Sequence, residues 1–299
     1  MRPDLIRATE LLRKADAESV DEALALLQST VYAFSMKVCG HPQDAEDTMQ
    51  DVLVGSLPHL AKISEPRALA VWLYTVTRNR CWRSRRRSVH APKQTLSLDD
   101  LMPNDTALSD LLSNGQPSPE QQMLASEQNH LLHTAILSVP PEYRIVLVLH
   151  DVEDLETDQV AQVLGLLPGT VRVRLHRARL YVRKAMAELV KGETAHKPAP
   201  KPRRENRPKP AKVRSAQCEE IFANLSEYLD NRLDPGNCDQ MRSHIEACPA
   251  CVVFIDDLRH AIDRCRRLDL ACDPSVGIRL RALLTTEYLR LLNAPATQK

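Results

Sequence analysis

Four residues toward the end of the chain carry the most specific chemistry in this sequence. His244 and Cys248 stand four apart, on one face of a helix, and Cys251 follows through a CPAC turn. The stretch HIEACPAC therefore gathers an imidazole and two thiols in a small space. Cys218, which opens CEEIFANLSEYLDNRLDP, is the natural fourth donor. Three thiolates and one imidazole make a tetrahedral Zn2+ set. The competing reading is a group of buried cysteines acting as small hydrophobes, and Cys238 competes with Cys218 as ligand or serves as a resolving thiol. Four protein ligands leave no open coordination position and the sequence holds no HExxH. The expected metal is structural or sensory rather than hydrolytic, and the chain is not read as an enzyme.

A second chemistry lies in TDQVAQVLGLLPGTVRVRLHRARLYVRK, from Thr157 to Lys184. Thr157 is an expected N-cap, Gly165 an expected helix end and Pro168 an expected helix start, which outlines a helix-turn-helix. In its second helix Val171, Leu175 and Ala178 fall on the inward stripe. Arg172, Val173, His176 and Arg177 fall on an outer face suited to the major groove. The bland alternative is an ordinary basic surface helix.

These groups need elements to position them. With only eight glycines, 4% aromatic residues and many Leu, Ala, Arg and Glu, the composition favours helices, and the fold class expected is all-α. A length of 299 residues with 43% hydrophobic content supports two or three cored domains and excludes a disordered chain. The net charge of +1 means that any affinity for nucleic acid comes from local clusters. The most apolar stretch, Leu131 to Leu149, is broken by His133, Pro140, Pro141, Glu142 and Arg144. With no signal pattern at the start, a cytoplasmic protein with no membrane contact is expected.

In chain order, Leu24, Leu27, Val31, Phe34 and Val38 mark an amphipathic helix ending near Gly40. HPQDAEDTMQDVLVGSL then starts another, with Asp47, Gln50 and Asp51 on one face, either as dipole complements or as an acidic docking face. PRALAVWLYTVTRNRCWRSRRR follows, where Leu69, Trp72, Leu73 and Val76 anchor a segment that ends in arginines. Among these, Arg80 and Arg83 can reach phosphates and Asn79 can hydrogen-bond a base. Residues 88–120 form an acidic linker and residues 191–217 a Pro/Lys/Arg-rich tether. A helix is expected over 121–138, another after Pro141, one holding Phe254, Leu258 and Ile262, and a last one from Ile278 to Leu291.

DAEDTMQDV, AVWLYTVTRNR with its arginine run, and LPGTVRVRLHRAR, in that order, resemble regions 2 and 4 of the extracytoplasmic-function type of bacterial sigma factor. The resemblance implies sigma region 2 over 18–87 and sigma region 4 over 121–190. It implies docking of Asp47, Gln50 and Asp51 on core RNA polymerase, capture of the promoter −10 strand around Asn79, and reading of the −35 element by Arg172, Val173, His176 and Arg177. Val173 departs from the family pattern, where a small polar residue is commoner. HxxxCxxC with DNRLDP resembles a zinc-binding anti-sigma domain over 218–293, which implies regulation in cis through contact with the sigma domains. A polymerase-independent helix-turn-helix regulator is the alternative. Because structural zinc energy is folding energy in so small a unit, the segment 216–293 should bind one zinc and lose helicity on chelation. Full zinc retention by Cys248→Ser with Cys251→Ser, measured by metal analysis, would place the site elsewhere.

Overall fold

The computed structural model describes residues 2–83, 96–97, 101, 125–190, 225–233, 235–247, 249–268, 270 and 277–293. Nearly all of the linker 88–120, and the whole of the tether 191–217, lie outside them. Every regular element among the described residues is helical. In order these are α1 (Pro3–Lys14), α2 (Ala17–Cys39), α3 (Pro42–Leu60), α4 (Pro66–Arg83), α5 (Ala125–Ser138) and α6 (Pro141–Leu147). After a π-helical turn over Val148–Val152 come α7 (Thr157–Leu164), α8 (Pro168–Val190), α9 (Pro235–Ala247), α10 (Pro249–Arg267) and α11 (Ile278–Asn293). No described helix is long and apolar enough to cross a membrane.

The chain divides into two compact units. The first gathers α1–α4, the π turn, α7 and α11; the second gathers α5, α6, α8 from Arg172 onward, α9 and α10. In the first, α2 is capped at both ends by residues that want those positions. The Ser19 amide donates to Asp16 Oδ1 at 2.8 Å, and Gly40 closes the helix at φ 77°. Ala45, Met49, Val52 and Leu53 of α3 are buried as the pattern requires. α1, which precedes the boundary expected at residue 18, packs on α2 and α4 through Leu5, Ala8, Leu11 and Leu12.

A buried carboxylate ties this unit together. Glu153, just past the π turn, takes Lys37 Nζ at 3.1 Å, the Tyr74 hydroxyl at 2.7 Å and Arg2 Nε at 3.1 Å. Lys37, Glu153 and Tyr74 are all withdrawn from solvent. Burial, and then the carboxylate itself, push the Tyr74 hydroxyl well above the ordinary phenol range, so it stays protonated and donates. The π turn makes this possible: the Glu153 amide bonds back to Val148 O at 2.9 Å, and Asp154 at φ 56° then redirects the chain into α7. α7 starts one residue earlier than expected. Glu156 is its N-cap, with its amide donating to Gln159 Oε1 at 2.9 Å, and Thr157 is buried in the first turn.

In the second unit, Arg144 is not the interruption of an apolar run that its charge suggests. It is buried, with Nη2 2.5 Å from Leu137 O and 2.9 Å from Val139 O, where it satisfies carbonyls that the end of α5 leaves unpaired. α10 buries Phe254, Leu258 and Ile262 as the spacing predicts.

Glu153→Ala leaves two cations without their carboxylate and should cost about 3–5 kcal/mol. Lys37→Met combined with Glu153→Gln, which keeps an acceptor for Tyr74, should cost less than that single change. Urea unfolding of the three chains checks the order.

Candidate nucleic-acid interface

The site is built on α8. Pro168 starts the helix after Gly165 closes α7 at φ 66°, as the sequence indicates. Val171, Leu175 and Ala178 are buried on its inner stripe. Arg172, His176, Arg179 and Arg183 recur four, three and four residues apart, which places them on one further face. Within the second unit, that face is covered by residues 225–233 and by α10.

The covering segment is shaped for this role. Residues 225–229 are helical and Asn231 ends the turn in the left-handed region at φ 53°, a conformation that Asn tolerates. Ser226 and Asp230, one turn apart, and Glu227 therefore share a side. Ser226 Oγ lies 3.0 Å from His176 Nδ1, and Glu227 Oε1 lies 3.1 Å from Arg172 Nε. Asp230 takes both Nη atoms of Arg179, at 2.8 and 3.0 Å. On α10, Asp257 Oδ2 lies 2.6 Å from Arg183 Nε, and the guanidinium carbon stands 4.5 Å from the Phe254 ring centroid.

Exposure ranks these contacts. The Arg179 side chain is fully buried against an Asp230 that is 12% exposed, whereas Arg172 and Glu227 are 42% and 36% exposed. The first pair fixes geometry; the second is screened by solvent and contributes at most about 1 kcal/mol.

His176 differs from expectation: placed on an outer face by helical spacing, it is buried beneath Ser226. Its Nε2 has no hydrogen-bond partner, and burial, followed by the charges of Arg179 and Arg177, lowers its pKa to about 4. The imidazole is neutral in the covered state. Val173 is 60% exposed, and Arg177 is half-buried, with Nη1 3.5 Å from the Tyr143 hydroxyl. Arg179 and Arg183 join this face as well, and the 172–176–179–183 periodicity is the signal for them in the sequence.

The other sequence candidates lie elsewhere. In the first unit Asp47, Gln50 and Asp51 are exposed on α3, and Asp51 forms an ion pair with Arg80 of α4. Asn79 is exposed and accepts from Arg78 at 2.6 Å, while Arg78 also reaches Val163 O at 2.7 Å. The side chain of Arg83 lies outside the description. Of the four expected zinc donors, Cys251 is buried in the first turn of α10. His244 belongs to α9 without a described side chain, and Cys218 and Cys248 fall outside the described residues. Among the described residues no group of three or more His, Cys, Asp or Glu is placed to hold a metal.

The folded pKa of His176 lies below the ordinary 6.5, so the uncovered state binds the proton more readily. The cover is at full strength above that value and weakens as pH falls toward 4, by about 2 kcal/mol at pH 5. Stability measured by urea unfolding from pH 7 to 5 should fall accordingly, and His176→Gln should flatten the dependence.

Comparison with known families places these elements. The Sigma-70 region 2 model matches residues 24–90, the Sigma-70, region 4 model matches 129–182, and a model described as "Putative zinc-finger" matches 218–251. The ECF RNA polymerase sigma factor SigW of Bacillus subtilis is 23% identical over 181 residues, 60% of this chain and 94% of that protein. The ECF RNA polymerase sigma factor SigE of Mycolicibacterium smegmatis is 30% identical over 176 residues, 58% of this chain and 64% of that one. The RNA polymerase sigma-H factor of Pseudomonas aeruginosa is 26% identical over 185 residues, 61% and 93% respectively. The chain thus carries, in order, a Sigma-70 region 2 match over α2–α4, a Sigma-70 region 4 match over α5–α8 and a zinc-finger match beyond them, and it is similar to ECF RNA polymerase sigma factors that align through both sigma regions.

Proposed function

We propose that this sigma factor carries core RNA polymerase to promoters through two separate surfaces, and that its terminal zinc-binding domain regulates it in cis. The observation that carries the first part is an exposed acidic face on α3 in the same chain as a cationic recognition helix. In a DNA-binding regulator that works without polymerase, that acidic face would serve only as a complement to the helix dipole. Asp47, Gln50 and Asp51 dock on the polymerase clamp helices; the Asn79, Arg80 and Arg83 end of α4 takes the melted −10 strand. Arg172, Val173, His176 and Arg177 read the −35 element. No step asks for a catalytic group: flipped bases are held in pockets, and that binding offsets the cost of unstacking. The working compartment is the cytoplasm.

The domains follow as 18–87 and 121–190 for the two sigma regions and 218–293 for the regulatory part. The donor chemistry of Cys218, His244, Cys248 and Cys251 fits zinc, and the buried Cys251 thiol at a helix start is consistent with it. When bound, zinc would tie Cys218 to the 244–251 stretch and make the domain's folding dependent on metal supply and thiol oxidation. Cys238, whose Sγ lies 3.7 Å from Leu233 O, the buried Cys265, and Cys272, which lies outside the described residues, are candidate exchange partners.

Transcription in vitro with core polymerase tests the reading. Asp47→Ala with Asp51→Ala should lower core affinity by about tenfold. Arg177→Ala, in a chain ending at residue 190, should cost about 1–3 kcal/mol at the −35 element. Full output from both variants would remove these assignments. Identical output from the full chain and the 1–190 truncation, with and without chelator and peroxide, would remove regulation by the terminal domain.

A further inference from the structure

We infer that Ser226, Glu227 and Asp230 are an acidic stand-in for promoter DNA on the recognition helix, so that the covered chain can hold core polymerase while it cannot read a −35 element. The inference rests on the sigma reading and names which of its two surfaces the terminal domain controls.

The groups that meet α8 have the chemistry of DNA. Base edges and phosphates offer acceptors to guanidinium forks, and here carboxylates do so, while a hydroxyl faces the histidine. Arg172 spends Nε on Glu227 at 3.1 Å, and His176 Nδ1 faces Ser226 Oγ at 3.0 Å. Two of the four expected −35 readers are therefore occupied. Arg179, on the same face, holds the segment through the doubly bonded Asp230, and Leu225 beside it is fully buried. A duplex cannot reach His176 until this segment leaves, and it must displace Glu227 to take the Nε of the part-exposed Arg172. Val173, at 60% exposure, is open, so the cover blocks part of the reading face rather than all of it.

The acidic face of α3 is treated differently. α11 lies against α2 and α3 in the first unit, with Arg281 Nε 3.3 Å from Asp21 Oδ1 and Thr285 Oγ1 3.5 Å from the same oxygen. The approach is close enough that a Cβ at Gly277, which sits at φ +77°, would meet Gln28 Nε2 at 3.1 Å. Yet Asp47, Gln50 and Asp51 are all exposed. The terminal helix packs on this unit without spending the docking face. Opening is then an exchange at α8 alone, DNA acceptors replacing carboxylates, and it can take place on the polymerase. In the chain, the segment lies between Cys218 and His244, two of the expected zinc donors.

The test uses the full chain as wild type, Glu227→Ala and Glu227→Ala with Asp230→Ala. Each is measured for affinity to a short random-sequence duplex pool and to bacterial core RNA polymerase at one salt concentration. The double variant should bind duplex about tenfold or more tighter and the single variant severalfold tighter, with core affinity unchanged within about twofold. The single variant removes only the solvent-exposed pair, so it keeps the comparison valid if the double variant misfolds. Equal duplex affinity in wild type and Glu227→Ala overturns the inference, and so does core affinity that rises in step with duplex affinity. A duplex gain in chains that do not bind core at all upholds the cover and rejects the sigma reading.

Discussion

A helix built to grip a polyanion has to put its charge somewhere when the polyanion is absent, and on α8 the demand is sharpest at Arg179. Its guanidinium is fully buried, so an unpaired state would cost several kcal/mol, and Asp230 meets it with two hydrogen bonds. Such a pair stabilises little in net terms, because desolvation of both ions offsets most of their attraction. Its value lies in position. Once Asp230 is fixed, Ser226 is set opposite His176 and Glu227 opposite Arg172. A strong geometric lock with a small net free energy suits a two-state element that a competing ligand can displace.

The first unit is held by a different logic. Glu153 gathers Lys37, Tyr74 and Arg2 in a buried set that joins the turn before α7 to α2, α4 and the residue before α1. This core fixes α3 from behind, through Met49, Val52 and Leu53, and leaves its acidic edge in solvent. The same economy holds around Arg80 and Asp51, an exposed pair that water and salt screen and that a partner can separate at little cost.

Local signals carried most of the fold. Gly40, Pro42, Gly165 and Pro168 mark helix ends because their backbone constraints act at the residue itself, and the inward stripe of α8 follows from a period that needs no partner. What stayed hidden depends on residues distant in the chain. Nothing near Glu153 names Lys37 as its partner, and Arg144 reads as an interruption until the carbonyls of α5 lie over it. His176 falls on an outer face by helical spacing, and its burial is not legible there because Ser226 lies fifty positions further on. The π turn at Val148–Val152 has no composition of its own and was not foreseen. The metal donors show the reverse. HIEACPAC is explicit in sequence, while of its three donors the structure describes only the Cys251 side chain.

Hydrogen exchange on the full chain, with and without saturating duplex DNA, bears most directly on the central claim that residues 225–230 occupy the recognition helix in cis. The amides of 225–233 should be protected in the free chain and lose protection when DNA binds, while the α8 amides from Arg172 to Arg183 stay protected in both states. Exchange of 225–233 at the rate of an unstructured peptide before DNA is added, or protection there that DNA leaves unchanged, would contradict it.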